Sequence, residues 1–134
     1  MAETIFQKPL DAQLSSLSDA ITKLYEKANG TLTKGTHVNT MSNTYCRRKG
    51  KMCTICAHLV LSAAVAGIGE TVMTIEDGYR PDQQIPLVAF GIYNGSFGNI
   101  GLTINTDGTV KTLQGSQTIT SYISIPCVTY PLPD

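Results

Sequence analysis

The chain has no tryptophan, only three phenylalanines, only two histidines and few charges. Charged residues make up 15%, and ten basic side chains balance ten acidic ones. A formal net charge of zero gives no electrostatic pull toward nucleic acid or an acidic substrate, so no nucleic-acid partner is expected. Long apolar runs are also missing. The longest, Leu59 to Ile68, is broken by Ser62 and Gly67 and is far short of the ~20 residues of a membrane span. The front, MAETIFQKPL, has neither a basic n-region nor an apolar h-region, so no signal peptide is expected. These features point to a soluble product made in a cytoplasm, with no membrane partner.

An enzyme is excluded on inventory. Neither His37 nor His58 has a convincing nucleophile beside it, and no Gly-rich phosphate loop or carboxylate-rich metal motif occurs. Glu76 and Asp77 are adjacent in sequence, and neighbours on a strand or turn do not converge on one bond as glycosidase carboxylates must. Neither a cofactor nor a metal is expected. Cys53-x-x-Cys56, with Cys46 before it and His58 after, lacks the second ligand pair of a structural zinc site. The segment around it reads as a strand, which puts Cys53 and Cys56 on opposite faces. With Cys127, all four thiols are expected free in a reducing compartment. A Cys46–Cys53 bridge would need a tight turn at Lys49-Gly50.

What is present begins at the front. Leu10, Leu14, Leu17, Ile21, Leu24 and Ala28 are spaced four, three, four, three, four. That is the 3.5-residue period of a coiled-coil seam, with Leu14, Ile21 and Ala28 at position a. An isolated helix of about three heptads is marginal in water, so the seam predicts association of identical copies. The e and g positions carry Asp11, Gln13, Ser18, Ala20, Tyr25 and Lys27. Few charges and small residues there suit three strands better than two. Pro9 fits the first turn, and Gly30 is expected to stop the helix.

After it, residues 31–44 are polar and read as a linker or first edge strand, with His37 in a solvated loop. From Tyr45 onward short apolar runs alternate with turn signals. A hairpin is expected around Gly50, with Arg47, Arg48, Lys49 and Lys51 as a solvated tip. Strands are expected at 52–61, 70–75, 85–92, 100–104, 110–113 and 121–130. Asn94 to Asn99 and Gln114 to Thr120 read as loops, and Asn105-Thr106-Asp107-Gly108 as a hairpin turn. Seven or eight strands without crossover helices predict a mainly β chain. Its expected form is an antiparallel β-sandwich or jelly-roll-like head (45–134), a linker or edge strand (31–44) and a short N-terminal coiled-coil helix (1–30), assembled as a homotrimer.

The heptads, the hairpin Arg48-Lys49-Gly50, the turn Gly78-Tyr79-Arg80-Pro81, the hairpin Ile104 to Val110 and the tail Thr129-Tyr130-Pro131-Leu132-Pro133-Asp134 together carry a resemblance. In this order they resemble the receptor-binding proteins of tailed phages of Gram-positive bacteria, the lactococcal-phage type above all. The resemblance implies a homotrimer in the virion, at the baseplate or tail tip, beside other baseplate proteins. It implies a β head that binds host cell-wall saccharide for adsorption, with no cofactor and no bond-breaking chemistry. The chain departs from that pattern in lacking tryptophan and a middle neck segment.

A glycan site needs a flat apolar face and convergent hydrogen-bonding groups. Tyr79, Arg80 and Asp82 in one loop, and Tyr93, Asn94, Phe97 and Asn99 in another, are candidates, with His58 as a further one. Each has a plain packing alternative: Arg80 paired to Glu76 or Asp77, Tyr93 and Phe97 in the core or a subunit contact, and His58 as a satisfied packing residue. Two other functions fit the same architecture. One is a structural adaptor or tail-fibre protein of the baseplate that touches no saccharide. The other is a trimeric ligand of the tumour-necrosis-factor type, which the lack of a secretory signal disfavours.

Overall fold

A computed structural model describes residues 7–25 and 27–134; side chains at 7, 8, 23–25, 27, 114, 116 and 117 also lie outside the description. The chain is mainly β, with one helix, α1 (Gln7–Tyr25), and eight strands among the described residues. The strands are β1 (Lys27–Asn29), β2 (Leu32–Lys34), β3 (Val38–Lys49), β4 (Met52–Leu61), β5 (Val65–Ile75), β6 (Ile85–Tyr93), β7 (Ser96–Ile104) and β8 (Thr109–Pro131). Every pairing is antiparallel.

The helix is shorter than the apolar spacing predicts. Ala28, expected to close the seam, instead sits in β1 opposite Arg48. Its backbone completes a ladder on the edge of β3, and that pairing outweighs one more turn of a marginal helix. Gly30 does not end the helix either: a Cβ there would come within 2.8 Å of the Tyr79 ring, so glycine is required by the ring. Leu10, Leu14, Leu17 and Ile21 are 50%, 56%, 56% and 47% exposed, so the chain's own sheet leaves the seam uncovered. The Leu24 side chain lies outside the described residues.

The polar stretch 31–44 joins the sheet. Leu32–Lys34 pairs with Met73–Ile75, and Val38–Ser42 pairs with His58–Leu61, with one register shift between Val38 and Thr40 and a second after Ser42, where Asn43 takes positive φ. β3 is polar because little lies against it: of its twelve residues only Val38 and Cys46 are buried. His37 lies in the turn between β2 and β3 and is partly exposed, as expected, but its Nδ1 meets the Glu70 carboxylate. That carboxylate also accepts from the Ala66 amide at 2.6 Å.

β8 organises the rest. Its first part pairs with β7 and β5, and its last part with β4 and β6. Gln114 to Thr120, expected as a loop, continues this strand. Gly115 and Ser121 take positive φ and bend it between its two sets of neighbours. The Asn94–Asn99 loop is also shorter than expected. Asn94 (φ 48) and Gly95 (φ 79) make a two-residue turn, and β7 begins at Ser96 opposite Tyr93. Two positive φ values are what such a hairpin turn requires, and Asn-Gly supplies them at least cost. The turn before Thr109 forms as expected, with Gly108 N–H donating to Asn105 O at 2.9 Å.

The core lies on the inward faces. In β4, Cys53, Ile55, Ala57 and Leu59 are buried while Thr54, Cys56 and His58 are half-buried. Met73, Ile75, Ile100, Leu102, Ile104, Ile119, Ile123 and Tyr130 fill the interior. Each such side chain contributes roughly 1.5–3 kcal/mol relative to exposure. Cys53 and Cys56 do face opposite ways, and all four thiols are free. Cys46 and Cys53 share a buried thiol–thiol hydrogen bond, which, with burial, pushes the Cys46 thiol well up.

Candidate functional site

The candidate residues divide between the two ends and the outer face of the sheet. Tyr79, Arg80 and Asp82 lie in the β5–β6 connection, at the end that also holds β1 and the Gly50 hairpin. Tyr79 is an anchor. Its hydroxyl donates to Asn29 O at 3.0 Å, its carbonyl accepts from the buried Tyr130 hydroxyl at 2.6 Å, and its ring covers Gly30. The Arg48 guanidinium stands 5.9 Å from the ring centre. Arg80 does not pair with Glu76 or Asp77 through Nε, which donates to Ile75 O at 2.9 Å. Glu76 instead accepts from the Thr31 amide at 2.8 Å. Asp82 donates its amide to Pro131 O at 3.3 Å, and its side chain is exposed.

This end also has a cleft of about 880 Å³ between Ala20 of α1 and the sheet, bordered by Arg48, Lys51, Asp77, Arg80 and Leu132. Its cations already have partners. Arg48 reaches Gly78 O at 3.5 Å, Lys51 meets Asp134 at 2.9 Å, and Arg80 holds Ile75 O. The Arg48 and Arg80 contacts hold the turns at this end.

At the opposite end Tyr93 and Asn94 are also structural. Tyr93 packs against the core and lies over Gly98, where a Cβ would fall 2.5 Å from its ring. The Asn94 amide donates to Thr118 O at 3.0 Å, and its side-chain oxygen accepts from Thr118 N at 3.3 Å.

The remaining three candidates come together. His58 is opposite Ser124, Ser124 is opposite Phe90, and Phe90 is opposite Asn99. One row of outward side chains therefore crosses β4, β8, β6 and β7. With strands about 4.8 Å apart, the row is roughly 14 Å long. Phe97, 66% exposed, stacks on Phe90 with ring centres 6.3 Å apart and planes 2° from parallel. At the other end Tyr122 lies 5.3 Å from the His58 ring. Phe90, Tyr122 and Ser124 were not singled out by the sequence. The signal for Phe90 was that 85–92 is apolar on both faces, although only one face can be inward.

Chemically, the row combines open aromatic faces with an imidazole, a phenol, a hydroxyl and an amide. Such a surface can stack on an apolar ring face and exchange hydrogen bonds with hydroxyl groups. Among the described residues no three His, Cys, Asp or Glu side chains are grouped to hold a metal ion. No helix among them is long and apolar enough to cross a membrane. No family model matches the chain, and no curated protein matches it in sequence.

Proposed function

We propose that the chain is a receptor-binding protein of a phage baseplate or tail tip, a homotrimer that binds host cell-wall saccharide for adsorption. The observation that carries this reading is the front helix. It has a regular heptad seam that its own domain leaves uncovered, and it leads into an all-antiparallel head. Self-association through that seam multiplies weak sites by raising effective concentration. The resemblance of the heptads and turn motifs to phage receptor-binding proteins supports the same reading, as does the exposed row of His58, Tyr122, Phe90, Phe97 and Asn99. In this reading no cofactor takes part and no bond is made or broken.

The test is retention of the intact chain on isolated cell walls from a panel of Gram-positive bacteria. Walls of one host are expected to retain it, and walls stripped of polysaccharide to release it. Phe97→Ala is expected to lower retention at least tenfold without changing the melting temperature. Failure to bind any wall in the panel would sink the saccharide reading. A second reading, an adaptor of the baseplate, is favoured by the exposure of Phe90 and Phe97 as a docking surface for protein. It predicts co-purification with a neighbouring baseplate protein and no wall retention.

A further inference from the structure

Beside the aromatic row lies a second band of different chemistry. Ile68 is opposite Leu113. Leu102 is opposite Thr112, so the next step of that ladder sets Leu113 against Gly101. Gly101 is opposite Val88. One row thus crosses β5, β8, β7 and β6 as Ile68, Leu113, Gly101 and Val88. Ile68, Leu113 and Val88 are 61%, 53% and 53% exposed. The adjacent row is Thr71, Lys111, Thr103 and Pro86, which brings a single charge and no carboxylate.

Three exposed aliphatic side chains and a glycine make a row with no hydrogen-bonding side chain. Such a surface does not suit a polyhydroxyl ligand, and exposed it is a liability. The same chain leaves four aliphatic side chains of its helix uncovered. A 19-residue helix is about 28 Å long, and a stripe about 10 Å wide along it covers roughly 300 Å². A stable interface buries roughly 800 Å² per partner, so the helix seam alone falls well short. Helices bundled around an axis carry identical heads, each turning the same face inward.

We infer that the Ile68–Leu113–Val88 band is where the heads of neighbouring copies meet. The partner is a second copy of this chain, and the inference rests on the self-association proposed above. The band closes the assembly that the short seam begins. It leaves the aromatic row at its border open to ligand.

Sedimentation of the full chain with Ile68→Glu and Leu113→Glu together tests this. Wild type is expected to run as a trimer, and the double variant to associate at least tenfold more weakly. Met52→Glu, at a residue 44% exposed outside the band, is expected to leave the mass unchanged. A cooperative melt of the double variant confirms that its fold survives. In a Cys127→Ser background, Ile68→Cys and Val88→Cys together are expected to give interchain disulfides with oxidised glutathione as oxidant, because a three-fold interface sets one edge of the band on one copy against the other edge on the next. Each new bond joins two thiols and passes two electrons and two protons to the reagent. A double glutamate variant as trimeric as wild type, or the cysteine pair staying unlinked within a trimer, would overturn the band while leaving the stalk standing. A monomeric wild type would overturn both.

Discussion

Removing the Tyr130 hydroxyl tests whether the Tyr79 loop is an anchor of the fold rather than a saccharide contact. Tyr130 is fully buried, and its hydroxyl donates to Tyr79 O at 2.6 Å. Burial, then a hydrogen bond with Cys53, pushes its ionisation well above the usual phenol range, so it remains a neutral donor. Tyr130→Phe keeps the ring and strands a part-buried carbonyl. Leaving such a group unsatisfied costs about 1–2 kcal/mol. At ~3–5 °C per kcal/mol for a chain of this size, the melting temperature should fall by roughly 3–10 °C. Thermal unfolding by circular dichroism measures it, with Tyr45→Phe at an exposed ring as control. Binding to cell walls should survive below the new midpoint. A melt within about 1 °C of wild type would refute the anchoring role.

Other outcomes follow from particular contacts. Gly91→Ala would place a Cβ 2.2 Å from Tyr122 O and 2.5 Å from Ile100 Cδ1. The backbone of β8 cannot yield cheaply, so chemical denaturation should show a loss of about 1–3 kcal/mol or more. Asp107 accepts hydrogen bonds from the Thr109 hydroxyl and amide, which hold its carboxyl below the usual range. A depressed folded pKa stabilises above the unfolded value of about 3.9 and is lost as pH falls through the folded value. Asp107→Ala should therefore lower the melting temperature at pH 7 and have less effect in strong acid; an equal loss at both would contradict this. Cys56 is near the bulge where Cys127 comes alongside it, between the pairs Ile55–Val128 and Ala57–Ile125. In the native protein a thiol reagent should modify Cys127 and Cys56 well before the buried Cys46 and Cys53; four equal rates would contradict the burial.

The strands with clean alternation were legible in the sequence, because a half-buried strand writes its period into the residues. The helix was legible in kind but not in extent, since Ala28 fits a heptad and a β ladder equally and only the presence of β3 decides. Residues 31–44 read equally as a linker or an edge strand, and 114–120 as a loop, because polarity at an edge or outer face resembles polarity in a turn. Of the eight candidate ligand residues, His58, Phe97 and Asn99 share a surface. Tyr79, Arg80, Tyr93 and Asn94 have backbone or packing tasks instead. Local motifs mark loops well, but the row that unites His58 with Phe90 exists only because β8 lies between β4 and β6. That pairing joins residues more than thirty positions apart in sequence, and no local pattern records it.

The most direct measurement is the mass of the intact chain by sedimentation equilibrium at micromolar concentration. Three copies of the 14.4 kDa chain are expected to travel together. A single 14.4 kDa species would mean that the apolar seam of α1 does not bring copies of this chain together, and the trimeric reading would fall with it.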